Sequence, residues 1–203
     1  MKKALAVLAL AAAGCSLAPT HKETPATYDL IAQSPPATQA ARIRPSVLVH
    51  AIGAPTWLES SAIVYRLNYQ DAARQLVYAN SRWAAPPAAL LTQRLRTQLA
   101  GSSDGGVVSP GDSARAEYSL RLELEDFSQV FDSVDASRGV IVARASMVNL
   151  ARRTLNAQKT FSVEKPASTA NAEGGVRALT AAGNELVDAV VAWAAATLAQ
   201  DKK

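Results

Sequence analysis

The chain has 203 residues, a length that suits one domain or at most two small ones. Hydrophobic residues make up 49% of it, but 42 residues are alanine, which contributes little buried area to a core. The formal net charge is only +4, and the single cysteine and two histidines exclude a disulfide framework and any zinc site that needs several Cys or His ligands.

The N-terminus has the pattern of an export signal. A positive segment, Met1–Lys3, precedes a ten-residue apolar run, Ala4–Ala13, which is too short to span a bilayer core of about 30 Å. The only cysteine, Cys15, ends the sequence LAAAGC, which resembles the bacterial lipobox; in lipoproteins with this motif the cysteine is acylated and becomes the first mature residue. We therefore predict a signal peptide at 1–14 and lipid attachment at Cys15. The alternative is an ordinary secretory signal with a chance cysteine.

The mature chain is nearly neutral. Cleavage before Cys15 removes two of the 21 basic residues and none of the 17 acidic ones, so the net charge falls to about +2. Nucleic-acid binding needs a clustered basic face, which this sequence does not supply. Ser16 after the cysteine resembles lipoproteins that are sorted to the outer membrane. Residues 15–27 have two prolines and no hydrophobic periodicity, and we predict that they form a flexible tether after the acylated cysteine.

Beyond the tether, the pattern predicts one α+β domain over residues 28–200. Its strands are marked by β-branched or alternating runs. We predict them at 28–30, 46–52, 62–69, 75–83, 118–125, 139–150 and 154–163.

Two of these strands carry the most specific expectations. Segments 62–69 and 75–83 form a hairpin around residues 71–74. The alternation of apolar and polar residues over 118–125 predicts one buried and one solvent-exposed face. The apolar residues fall at even positions up to 124, but the next two phenylalanines fall at odd positions, so we expect a bulge near Asp126.

Two helices complete the predicted domain. One opens at the Pro86-Pro87 pair and ends at Gly101, and the other runs over 171–199 with apolar residues at helical spacing. The predicted fold is a mostly antiparallel or mixed sheet packed by two main α-helices.

The sequence offers no recognisable catalytic apparatus. It contains no phosphate-binding glycine loop and no nucleophile elbow, and His50 is best interpreted as a structural or surface residue. Glu123, Glu125 and Asp126 are better explained by a solvated charge row than by paired carboxylate catalysis. We predict no enzyme activity, no catalytic residues, no metal site and no cofactor; an envelope hydrolase is the least favoured alternative.

Three large apolar residues are candidates for contact with a partner or with lipid. Trp57 and Leu58 follow Pro55 in a loop between predicted strands, and Trp83 lies at a strand-to-helix corner. Packing into the core is the favoured interpretation of each, and contact with a partner or lipid is the alternative.

Several stretches together resemble the ABC-type transport auxiliary lipoprotein family, the group that contains PqiC-type subunits. They occur in the expected order after the lipobox. They are 28–30 (YDL), 55–58 (PTWL) with 63–67 (IVYRL), 78–87 (YANSRWAAPP), 122–132 (LELEDFSQVFD), and the last helix with Gly175, Ala178, Leu179 and Ala182.

The resemblance implies a non-catalytic envelope lipoprotein. Its partners would be a periplasmic protein with a mammalian-cell-entry (MCE) domain and the ABC permease and ATPase of the same system. Such systems move phospholipid or other hydrophobic compounds between the two membranes of a Gram-negative envelope. The expected role is to dock the periplasmic subunit to the outer membrane, and lipid binding or homo-oligomer formation is left open. The alternative is an outer-membrane assembly or scaffold lipoprotein that works without a transporter.

Overall fold

The computed structural model describes residues 24–31 and 42–201, in which eight strands form one mixed sheet and two helices pack on it. The predicted α+β class is confirmed. The strands are β1 (Ala26–Tyr28), β2 (Val47–Val49), β3 (Ala62–Leu67), β4 (Asp71–Trp83), β5 (Val107–Val108), β6 (Tyr118–Phe131), β7 (Ser137–Asn149) and β8 (Thr154–Pro166). The helices are α1 (Pro87–Gly101) and α2 (Ala172–Gln200), and a single 3₁₀ turn lies at Thr56–Leu58.

The sheet forks around β6. Along one edge, β6 pairs antiparallel with β7, which pairs antiparallel with β8. Along the other edge, β2 pairs parallel with the start of β6 (Val47 opposite Tyr118), and β3 pairs parallel with its end (Tyr65 opposite Gln129). Strand β5 pairs with β2 and extends that branch. Strand β4 pairs with β3, and β1 pairs with β4, so these two strands extend the β3 branch.

The expected bulge in β6 is confirmed between Leu124 and Asp126. One additional residue on β6, Glu125, shifts the alternation of the strand. Phe127 therefore joins Leu124 on the face that carries the helices, while the side chain of Asp126 points to the opposite face. This shift lets a strand of 14 residues keep one side in the core along its whole length.

Helix α2 covers the β7–β8 part of the sheet. Asn171 caps it, since its side-chain Oδ1 accepts a hydrogen bond from the Gly174 N–H at 2.9 Å. Fifteen residues of α2 are buried, among them Leu179, which is fully buried. A Cβ at Gly139 of β7 would lie 2.8 Å from the backbone nitrogen of Leu179, so only glycine allows helix and strand to approach this closely. Helix α1 buries the predicted leucine stripe, Leu91, Leu95 and Leu99.

Several boundaries differ from the sequence expectation. Residues 71–74, predicted as the hairpin turn, belong to β4, and the turn lies at 68–70. Strand β6 continues six residues past Glu125, because the bulge restores the buried alternation that breaks in the sequence near Asp126. Strand β1 starts at Ala26, and β5 lies in a segment for which the sequence predicts no strand. Both are very short and are defined by pairing with distant strands, which local periodicity does not reveal.

Candidate functional site

The structure separates the predicted contact residues into core and surface. Leu58 and Trp83 are each 1% exposed and belong to the hydrophobic core. The Trp83 ring meets Phe127 edge to face, with ring centroids 5.6 Å apart. Of these three, only Trp57 keeps part of its side chain at the surface. Cys15 lies outside the described residues, so its acylation stays a prediction.

Trp57 lines a surface groove beside the β6 bulge. The 3₁₀ turn, closed by a 2.8 Å hydrogen bond from the Leu58 N–H to the Pro55 carbonyl, directs Leu58 inward and leaves the Trp57 ring half-buried. The groove has a volume of about 520 Å³. Its lining residues are Gly53, Ala54, Pro55, Trp57, Glu123, Leu124 and Glu125.

An ion pair fixes the position of the Trp57 ring. The Arg66 guanidinium lies 5.3 Å from the centre of that ring and donates to Asp126 Oδ2 at 2.6 Å. Ser128 Oγ donates to the other Asp126 oxygen at 2.8 Å. The Arg66 and Asp126 side chains are 19% and 18% exposed, so the pair is partly shielded from solvent. This partly buried ion pair differs from the solvated charge row predicted for Asp126, and no local pattern indicates it because its members are 60 residues apart.

The remaining two carboxylates of that row are exposed. Glu123 and Glu125 each form an ion pair with Arg144 of β7, at 3.8 Å for Glu125. The hydrogen bond to Glu123 raises the pKa of Arg144, so this guanidinium is charged at every physiological pH. This edge of the groove therefore carries two carboxylates and one guanidinium, a net negative charge.

A buried hydrogen-bond network around Gln129, which we call the latch, lies where β3 pairs with β6, on the sheet face opposite the groove. Gln129 of β6 is fully buried, and its Oε1 accepts from the Tyr78 hydroxyl at 2.8 Å. Its Nε2 donates to Ser137 Oγ at 2.8 Å and to the Asn171 carbonyl at 3.2 Å. A Cβ at Gly175 would lie 2.0 Å from Gln129 Oε1. The latch therefore ties β4 to the start of α2, and it brings together three of the stretches that carry the family resemblance.

Aromatic rings surround the latch. Tyr65 and Tyr78 are 4.6 Å apart between centroids, and Tyr65 meets Phe131 edge to face at 5.9 Å. Burial, and to a smaller extent the neighbouring Tyr65, raises the pKa of Tyr78 to about 12. Tyr78 therefore stays a neutral hydrogen-bond donor at any physiological pH.

The titratable residues do not form a metal-binding cluster in the part of the chain described. There, no three His, Cys, Asp or Glu side chains are placed to hold a metal ion together. Burial, with the charges of Arg121 and Arg96, lowers the pKa of His50 below 6.5, so this side chain is neutral near pH 7. Within the described residues, neither α1 nor α2 is both long and apolar enough to cross a membrane.

Comparison with known proteins gives a family and a fold. The family model described as "ABC-type transport auxiliary lipoprotein component" matches residues 28–191. The structure is similar to that of protein XCC0632 from Xanthomonas campestris, with TM-score 0.76 and 19% identity over 87% of this chain and 98% of that one. It is also similar to the hypothetical protein CT253 from Chlamydia trachomatis, with TM-score 0.54 and 11% identity over 76% and 98% of the two chains. No curated protein is significantly similar in sequence.

Proposed function

Because the chain belongs to the ABC-type transport auxiliary lipoprotein component family, we propose that it serves an ABC transport system with an MCE-domain subunit. In this proposal the system moves phospholipid or other hydrophobic compounds between the inner and outer membranes. The protein is its non-catalytic member, and it docks the periplasmic subunit to the outer membrane. The observation that carries the proposal is the family match over residues 28–191, which extends from β1 into α2.

The proposed anchor is Cys15. A single acyl chain holds a protein on a membrane only marginally, whereas the several chains of a mature lipoprotein hold it stably, since each buried CH₂ contributes about 0.8 kcal/mol. Mass spectrometry of the mature N-terminus tests this point. An acylated Cys15 as the first residue supports the anchor, and an unmodified cysteine overturns it.

The proposed docking surface is the groove beside Trp57. Tryptophan is enriched among residues that dominate interface energetics, and this ring is already held in place by Arg66, so little conformational entropy is lost on binding. The exposed carboxylates of Glu123 and Glu125 border the groove. This chemistry fits a partner segment that inserts an apolar side chain between basic ones.

Co-purification from the native organism with an MCE-domain subunit tests the function. We expect the full chain to retain that subunit and Trp57→Ala to lose it, since removing a central interface tryptophan costs about 2 kcal/mol or more, roughly a 30-fold loss of affinity. Trp193→Ala is the matched control, because that half-buried ring packs on Phe161 beneath α2, away from the groove.

Three outcomes would count against parts of this proposal. Failure of the unaltered protein to retain any MCE subunit contradicts the transport role, and capture of an outer-membrane barrel protein by cross-linking would favour the scaffold alternative. Equal losses in Trp57→Ala and Trp193→Ala would contradict the groove as the docking surface while leaving the transport role intact.

A further inference from the structure

The direction of β1 shows where the N-terminal chain leaves the domain. Strand β1 pairs parallel with the end of β4, with Ala26 opposite Ser81 and Tyr28 opposite Trp83. Strand β4 starts at the 68–70 turn and runs away from it. The chain therefore enters β1 from the side of that turn.

That turn belongs to one end of the sheet, which we call the hairpin end: residues 68–70 and the β6–β7 turn at 132–136. A hydrogen bond of 2.9 Å from the Asn68 N–H to the Phe131 carbonyl holds the two turns side by side. The opposite end of the sheet carries the β7–β8 turn at 150–153.

The hairpin end is the nearer of the two to the point of exit. Ala26 pairs with Ser81, and the next residue of β4, Arg82, pairs with Ala62, so Ala26 lies level with Ile63 of β3. From Ile63 to the end of β3 is four residues, or about 13 Å. Phe127 of β6 lies at the same level, and from there β6 extends nine residues back to Tyr118, about 30 Å in the opposite direction.

The length of chain before β1 matches the shorter distance. Eleven peptide bonds separate Cys15 from Ala26. A coil of that length has an r.m.s. end-to-end distance of about 18 Å. A lipid on Cys15 is thus within the ordinary reach of a coil from the hairpin end, whereas the opposite end requires about three quarters of the full extension, against the direction of the strand.

The hairpin end also exposes two large side chains with apolar surface. Tyr69 is 41% exposed and Val134 is 67% exposed, one in each of its turns. Tyrosine is enriched at membrane–water interfaces because its ring is apolar and its hydroxyl is polar. The opposite end exposes Leu150 and Leu155 as well, so apolar exposure alone does not select an end; the direction and length of the chain do.

We propose that the hairpin end rests on the headgroup layer of the phospholipid bilayer that holds the Cys15 anchor. The sheet then stands with its long strands pointing away from the membrane, and the β7–β8 turn faces the periplasm. This orientation depends on the anchor in the proposed function but not on the MCE partner.

The lone cysteine makes a direct test practicable. Once Cys15 is acylated through its sulfur, a cysteine introduced elsewhere is the only free thiol in the mature chain. We would label Val134→Cys, Tyr69→Cys and, as the control, Leu155→Cys with bimane. Each lipidated full-length protein would then be reconstituted in vesicles of phosphatidylethanolamine and phosphatidylglycerol that contain a nitroxide-headgroup lipid.

The expected result is a loss of fluorescence at Val134→Cys and Tyr69→Cys and no loss at Leu155→Cys. Quenching at Leu155→Cys alone, at all three positions, or at none would overturn the orientation. Mass spectra of the same samples report on Cys15, and an unmodified residue there would overturn both the anchor and the orientation. Failure to retain an MCE subunit would leave the quenching result standing, so the two proposals fail separately.

Discussion

Two regions of the sheet are stabilised in different ways. Helix α2 packs over β7 and β8 with fifteen buried residues, and glycine at 139 lets the helix approach the strand closely. In contrast, the hairpin wing, which we define as residues 65–78, has no fully buried residue. It is held by β pairing, by the Arg66–Asp126 ion pair and by the Tyr78–Gln129 hydrogen bond. Apolar burial stabilises the first region and a few specific polar contacts position the second.

This difference indicates where the protein can be altered without loss of the fold. Buried apolar area is the dominant source of stability, whereas a single hydrogen bond contributes about 0.5–1.5 kcal/mol. The wing carries the arginine that orients the Trp57 ring and the tyrosine at the hairpin end. The surfaces that we propose for partner and membrane contact thus depend on the less strongly stabilised region. We expect substitutions in the wing to weaken these contacts more than they lower the free energy of unfolding.

The largest effect is expected where α2 packs over β7 and β8. Leu179→Ala removes a fully buried side chain beneath α2 and should lower the free energy of unfolding by about 2–5 kcal/mol. Urea denaturation followed by circular dichroism measures it. A loss comparable to that of a surface substitution would mean that α2 is not part of the cooperative core, and the contrast between the two regions would be wrong.

A smaller effect is expected where the two regions meet. A methyl group at Gly175 would lie 2.0 Å from Gln129 Oε1, so Gly175→Ala must displace the buried glutamine and should cost about 1–3 kcal/mol. Denaturation of the double variant with Gln129→Ala separates the causes. If the clash is the reason, the second change makes room and the combined loss is smaller than the sum of the two single losses.

Gly101→Ala is the matched control for that substitution. Gly101 is the last residue of α1, and a Cβ there meets no atom within 4 Å. Alanine also has the higher helix propensity. We therefore expect Gly101→Ala to leave the unfolding free energy unchanged or slightly raised, and an equal loss at both glycines would contradict the role of the latch.

The sequence predicted the core-facing parts of β6 and α1 better than the wing. The alternation of Leu120, Leu122 and Leu124 and the leucine stripe of α1 are local patterns, and each gave the correct element and the correct buried face. The parity break at Phe127 correctly indicated the bulge, although its consequence, the continuation of β6 to Phe131, was not foreseen.

The wing depends on contacts that are distant in sequence. Tyr78 reaches Gln129 across 51 residues and Arg66 reaches Asp126 across 60, and no periodicity encodes either pair. The parallel pairings of β2 and β3 with β6 are likewise non-local. Of the predicted contact residues, the sequence could not separate Trp57 from Leu58 and Trp83, because only the chain path places the last two in the core.

The smallest effect is expected at the hydroxyl of Tyr78. Tyr78→Phe removes one hydrogen bond and leaves Gln129 Oε1 buried without that donor, so it should lower the free energy of unfolding by about 0.5–1.5 kcal/mol at pH 7.

The raised pKa of Tyr78 determines how its contribution to stability depends on pH. The folded state holds the phenol proton up to about pH 12, whereas a tyrosine in the unfolded chain loses it near pH 10. The stability that this proton contributes is therefore complete below pH 10 and is lost as the pH rises from 10 to about 12. Denaturation of the unaltered protein and of Tyr78→Phe at pH 8 and at pH 11 gives the test. The difference between them should shrink at the higher pH, and a difference that stays constant would show that the folded state does not raise the pKa of Tyr78.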